Sequence, residues 1–171
     1  NQFKKGEGFQ YNTELDFNKL MQQLGDEYVL LFRAHHQIGF KDVANDVPGV
    51  IDVTLVDDVN DLYIISDLMI TDYSSVAFDF AYLRKPIVYS QFDRDSFFSG
   101  AHSYTEGYFD YERDGFGEVE HTLDGTVDRI IEYMADGCQM KEEYRKRMDE
   151  TFAFNDRNCS KRVYERIIEN R

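Results

Sequence analysis

The chain has 171 residues, 42% of them apolar, including 14 Phe and 12 Tyr; that is enough to bury one full core, so a single domain over residues 1–171 is expected. A net charge of −14 excludes nucleic acid as a bulk partner, since a polyanion would be repelled. Two cysteines without CxxC spacing, Cys138 and Cys159, exclude a disulfide framework or a zinc pattern, and no apolar run approaches the roughly 18 to 20 residues that cross a bilayer.

In chain order, apolar spacing predicts a helix over residues 15–24, capped by Thr13 or Asn12 and closed by Gly25. The continuous apolar run Tyr28-Val29-Leu30-Leu31-Phe32 reads as a strand buried on both faces. It delivers Arg33-Ala34-His35-His36 at its carboxyl end. A loop with Pro48-Gly49 leads to a weaker strand over 50–55, and Asp57-Asp58-Val59-Asn60-Asp61 opens a short helix containing Leu62, Ile64 and Ile65. Residues 68–71 form the next strand and 76–83 a helix. Lys85-Pro86 breaks that helix, and Ile87-Val88-Tyr89 is a further strand.

From Asp93 to Gly117 the chain is aromatic, acidic and aperiodic, which suits a functional loop. A helix led by Thr122 or Asp124 follows, with Val127, Ile130, Ile131 and Met134 on one face and Gly137 just past its end. Further helices are expected over 141–152 and 160–169, the last burying Val163, Tyr164, Ile167 and Ile168. Strands alternating with helices predict an α/β fold with a parallel sheet, in which ligands bind beyond the carboxyl ends of the strands. His35, the Ser74-Ser75 turn and the Ser90-Gln91 region should then share one rim.

The strand-to-helix turn Thr71-Asp72-Tyr73-Ser74-Ser75 concentrates hydroxyls and backbone N–H groups at one point. Two readings stay open: a serine N-cap, or a cradle for phosphate. Asp72 would repel an anion, so a structural role is expected for it. Arg33 and His35 project to the same side of an extended segment, where a guanidinium clamps an oxyanion and an imidazole donates to a leaving phosphate. The plain alternative is a hydrogen-bonded histidine without chemistry.

Asp57-Asp58 reads as an acid-rich helix start in preference to a metal pair. His102 and His121 lack ligand spacing and belong to loop and cap surroundings. Tyr104, Tyr108, Phe109 and Tyr111 pack on the domain or stack on a base. Residues 139–171 carry nine basic against seven acidic groups, and residues 1–138 carry ten against 26. A phosphate ligand must therefore be held by a local pocket, and the basic end reads as a solvated helix face or a membrane contact. The start at Asn1, without an initiator Met or signal peptide, suggests a piece of a longer protein.

Taken together, Arg33-Ala34-His35, the stretch from Asp58 to Tyr63, the stretch from Ser66 through Thr71-Asp72-Tyr73-Ser74-Ser75 to Phe80, and Lys85-Pro86-Ile87-Val88-Tyr89 resemble the carboxyl-terminal half of the CDP-glycerol glycerophosphotransferases. These are teichoic acid and capsule polymerases of bacterial envelopes. The resemblance extends more loosely through Gly107-Tyr108-Phe109-Asp110-Tyr111 to the last helix. It implies a Rossmann-like, nucleotide-donor-binding lobe of a glycosyltransferase-B-type fold, with the N-terminal lobe outside this chain.

It also implies transfer of polyol phosphate from CDP-glycerol or CDP-ribitol to a polyol-phosphate polymer acceptor, with release of CMP, at the cytoplasmic face of the bacterial membrane as a peripheral protein. His35 matches the family histidine that assists departure of CMP. Arg33, Thr71, Ser74 and Ser75 fall at the CDP diphosphate. No cofactor is implied, and no metal site is expected. Where members carry Arg-Gly before the Tyr/Phe segment, this chain has Glu106-Gly107. A nucleotide-sugar glycosyltransferase of the same fold and a non-catalytic nucleotide-binding or scaffolding domain are the alternatives.

Overall fold

The computed structural model describes residues 16–34, 47–98 and 107–170. Helix α1, Phe17–Leu24, starts at Asp16, whose side chain accepts from the Lys19 N–H, and it buries Phe17, Leu20 and Met21. Asp16 therefore replaces the expected cap; Asn12 and Thr13 lie outside the described residues. A 3₁₀ turn, Gly25–Glu27, leads to β1, Leu30–Phe32, which pairs in parallel with β2, Val50–Asp52.

The prediction of a β1 strand buried on both faces is overturned. Leu30, Leu31 and Phe32 are all half-buried, and Ile51, opposite Leu31, is half exposed. The physical reason is one-sided cover. Phe32 meets Phe17 edge-on at 5.4 Å and Leu30 packs on the cluster of Leu20, Val127 and Ile130, while Val29 stays exposed. Strand β2 is also shorter than expected, because Asp52 accepts from the Thr54 N–H at 2.8 Å and turns the chain.

Helix α2, Val59–Ile65, is capped by Asp58, which confirms the acid-rich helix start. Strands β3, Met69–Thr71, β4, Ile87–Ser90, and β5, Gly117–Glu120, form a second parallel sheet in the order β3-β4-β5. Thr71 lies beside Tyr89, and Ser90 beside Glu120. Helix α3, Val76–Tyr82, joins β3 to β4 and buries Ala77, Phe80 and Ala81. These pack with Tyr63, Ile87, Tyr89, Phe116 and Met148 as the main core. Lys85 is more than a helix breaker. Its ammonium donates to the Tyr63, Ile64 and Ser66 carbonyls at 3.0, 2.7 and 2.6 Å, closing the carboxyl end of α2.

The aperiodic segment holds more structure than its pattern suggests, the single turn α4, Arg94–Ser96, and the short helix α5, Tyr111–Asp114, and at its end it runs into strand β5. Helix α6, Leu123–Ala135, is capped by Thr122 as expected, and Gly137 past its end has a positive φ. Buried Glu118 of β5 accepts from the Tyr133 hydroxyl at 2.6 Å and pairs with Lys141 at 2.5 Å. Helix α7, Glu142–Thr151, buries Tyr144 and Met148, and its Arg147 donates to the Glu112 and Gly115 carbonyls, capping α5.

Helix α8, Cys159–Glu169, has no buried residue, so the expected buried stripe is corrected: Val163, Tyr164, Ile167 and Ile168 are all exposed. Its ties lie at its start, where Arg162 pairs with Asp156 at 3.0 Å and lies over the Phe154 ring, and no described element covers the stripe.

Candidate functional site

The three strands of the second sheet run parallel, so their carboxyl ends open on one edge. Beyond β3 the chain turns through Asp72-Tyr73-Ser74-Ser75 into α3. Asp72 accepts from the Ser74 N–H at 3.1 Å, a local brace that gives it the structural role expected from sequence. Ser75 holds the cap position but adopts helical φ and ψ of −66° and −12°, and its side chain makes no cap bond. A capping serine needs extended backbone to reach the first helical N–H groups, so the simple N-cap reading fails.

The hydroxyls of Thr71, Ser74 and Ser75 accordingly have no protein partner among the described residues, with Ser75 exposed and the other two half-buried. Tyr73 fastens the turn. Its hydroxyl donates to Asp93 at 3.1 Å, its ring stacks on Phe97 at 3.9 Å between centroids, and its carbonyl accepts from the Tyr111 hydroxyl at 2.9 Å. Burial first, and then the Asp93 charge, pushes the Tyr73 phenol well above its ordinary pKa, so it remains a proton donor. Burial and the Asp72 charge do the same to Tyr111.

Arg33 lies at the end of the other sheet. Its Nη1 donates to the Val56 and Val53 carbonyls at 2.7 and 3.3 Å, bracing the turn after β2. Its Nε and Nη2 have no partner among the described residues, and the side chain is exposed. It lies within electrostatic reach of the Tyr63 hydroxyl, which is buried without a partner among the described residues and whose pKa is raised by burial and by Asp79. His35, His36, His102 and Tyr104 lie outside the described residues. Among the described residues no three His, Cys, Asp or Glu side chains are grouped to hold a metal ion. Cys138 is half-buried and its thiol is pushed up by burial, while Cys159 is exposed.

Past β4 and β5 lies a cleft of about 550 Å³ lined by Gln91, Phe92, Asp93, Arg94, Asp95 and His121. His121 faces Glu112 at 3.0 Å, so it is tied locally. Phe109 and Tyr111 pack on the core, while Tyr108 is 94% exposed. Sequence reasoning placed Gln91 on this rim without a role, and it missed Tyr73 and Asp93 as braces. The only sequence signal for these was their position directly after an apolar strand.

Residues 2–169 match the family described as CDP-Glycerol:Poly(glycerophosphate) glycerophosphotransferase. The minor teichoic acid biosynthesis protein GgaB of Bacillus subtilis (strain 168) is 42% identical over 104 residues, which is 61% of this chain and 11% of that protein. The teichoic acid poly(glycerol phosphate) polymerase of the same strain is 32% identical over 123 residues, 71% of this chain and 16% of the polymerase. The solved wall teichoic acid polymerase TagF superposes with a TM-score of 0.70 at 27% identity, covering 94% of this chain and 38% of the TagF chain. TagF has also been solved after a CDPG soak. This chain thus spans well under half the length of each of these relatives.

Proposed function

Because the chain belongs to the CDP-glycerol:poly(glycerophosphate) glycerophosphotransferase family, we propose that it is the donor-binding lobe of a polyol-phosphate transferase. The donor is CDP-glycerol or CDP-ribitol, the acceptor is a growing teichoic acid or capsular polymer, and CMP is released. The observation that carries this reading is the Thr71–Ser75 turn: three hydroxyls at a strand end without a partner among the described residues, in a turn held by Tyr73 and Asp72. Such a turn offers an anion hydrogen-bond donors without a competing protein acceptor.

In the reaction the terminal hydroxyl oxygen of the acceptor attacks the β-phosphorus. A new P–O bond forms there, the bond to the oxygen bridging the two phosphorus atoms breaks, and CMP departs with that electron pair. Thr71, Ser74 and Ser75 hold the diphosphate, and Arg33 balances its charge through its uncommitted nitrogens. His35 hydrogen-bonds or protonates the departing CMP oxygen. Phosphoryl transfer depends mostly on such positioning and charge stabilisation. The base that takes the acceptor proton, and the acceptor surface, belong to the N-terminal lobe, so the isolated lobe binds donor weakly and does not turn over.

The protein acts as a peripheral enzyme at the cytoplasmic membrane face; among the described residues no helix is long and apolar enough to cross a membrane. Titration of CDP, CDP-glycerol, CDP-ribitol and UDP-sugars into the full-length enzyme tests the reading. A cytidine preference that is lost in His35→Ala supports it. A preference for a UDP-sugar makes the protein a glycosyltransferase, and no nucleotide binding makes it a scaffold.

A further inference from the structure

Gln91 is the one buried residue among the six that line the cleft beyond β4, and it is 1% exposed. Its backbone N–H donates to the Glu120 carbonyl at 2.8 Å, which fixes it where β4 and β5 end. Its carboxamide nitrogen and oxygen are both buried and have no hydrogen-bond partner among the described residues. Each unmet polar atom of this kind destabilises the fold unless a ligand or an ordered water engages it. A side chain able to donate and accept, unpaired among the described residues and set against a cleft, is able to pair with a ligand that enters it.

The cleft adjoins the proposed diphosphate turn. Thr71 of β3 lies beside Tyr89 of β4, and paired strands run about 5 Å apart. Asp93, which lines the cleft, accepts directly from Tyr73 of the turn. A diphosphate at Ser74 and Ser75 carries one substituent on each phosphorus, and the cleft offers one of the two a place directly beside the turn.

The lining chemistry selects which. Asp93 and Asp95 outnumber the one guanidinium of the lining, Arg94, so the balance of charge disfavours a further phosphate, while the Asp95 carboxylate and the Gln91 oxygen accept hydrogen bonds from hydroxyls and the Gln91 nitrogen donates back to hydroxyl oxygens. A set of neutral donor, neutral acceptor and anionic acceptor reads a polyol. A base would be better served by a pair of aromatic faces, and among the described lining residues Phe92 is the single phenyl or phenol ring, with the His121 imidazole tied to Glu112.

We infer that the cleft beyond β4 receives the alditol end of the donor and that Gln91 is a specificity-determining residue that hydrogen-bonds the free hydroxyls of the alditol. This rests on the donor-lobe reading above and adds its direction: alditol toward β4 and β5, nucleoside toward Arg33.

The test uses the full-length enzyme with three ligands: CDP, CDP-glycerol and the propyl ester of CDP, which lacks both free hydroxyls. The wild type is expected to bind CDP-glycerol at least about tenfold more tightly than the propyl ester, because a site built for hydroxyls is left unpaired by the deoxy ligand. Gln91→Met keeps the side-chain volume and removes the amide; it should erase that difference while CDP affinity changes less than about twofold. The wild-type comparison needs no variant, so it stands even if Gln91→Met fails to fold.

Equal wild-type affinity for CDP-glycerol and the propyl ester overturns the alditol assignment alone. So does a Gln91→Met enzyme that keeps the discrimination, as it would with a buried water on the amide, or one that weakens CDP and CDP-glycerol equally, as a base-reading role would. A wild type that binds no cytidine diphosphate overturns the donor-lobe reading itself.

Discussion

The Tyr73 hydroxyl donates to the Asp93 carboxylate at 3.1 Å, tying the turn after β3 to the segment after β4. The contact links the proposed diphosphate cradle to the proposed alditol cleft through one bond. Tyr73→Phe keeps the ring stacked on Phe97 and removes only that bond. The expected outcome is a loss of about 1.5–3 kcal/mol in chemical denaturation, typical of a bond to a charged group, and a several-fold rise in donor KM. Unchanged KM would mean that the tie does not position the donor.

Lys85 gives a contrasting, purely structural prediction. Its ammonium serves three carbonyls at the end of α2 and has no part in the proposed donor site. Lys85→Met should cost about 1–2 kcal/mol of stability in a denaturant titration, since those carbonyls lose a charged donor at a helix terminus. Donor affinity measured below the melting transition should stay at the wild-type value.

Gly117 is required by close approach of chains. A Cβ built there would lie 1.8 Å from the Ile87 carbonyl oxygen, which belongs to the neighbouring strand. Gly117→Ala must push β4 and β5 apart, at a cost of about 3 kcal/mol or more. Thermal melting of the variant checks this, and a drop of only a degree or two would show that the two strands separate easily.

The start of α8 carries a pH signature. The Arg162 side chain, together with the Asn158 N–H, holds the Asp156 carboxyl down to about 2. A carboxylate depressed in the folded state contributes stability that is complete above its unfolded value of about 3.9 and disappears as pH falls through the folded value. NMR titration should place the Asp156 midpoint near 2, with the first turn of α8 loosening between pH 4 and 2. A midpoint near 4 would contradict the pair.

Much of the β3–α3–β4 unit was legible in the sequence, because an apolar run, a hydroxyl-rich turn and a helical run follow one another without interruption. Strand β5 was not. Its Gly-Glu-Val-Glu pattern looks like loop, and Glu118 can be buried only because Tyr133 and Lys141 meet it from α6 and the start of α7. Those partners are distant in sequence. The α8 stripe misled in the opposite direction: apolar spacing shows that a face seeks cover, but not that the described residues supply it. Ser75 also shows the limit of composition, since its backbone conformation, invisible in the sequence, is what rules out a side-chain cap. Gln91 was placed on the right rim by strand topology, yet its unpaired amide is a property of packing alone.

The central claim is that the Thr71–Ser75 turn holds the diphosphate of a CDP-alditol, and calorimetric titration of CDP-glycerol into full-length wild type and Ser74→Ala/Ser75→Ala enzymes tests it most directly. Neither hydroxyl makes a protein bond among the described residues, so stability should change by less than about 0.5 kcal/mol, below the usual cost of losing a true helix cap. Affinity should fall by about tenfold or more, the loss of two donors to a charged ligand. Unchanged affinity in the double variant, with the wild type binding CDP-glycerol, would contradict the account.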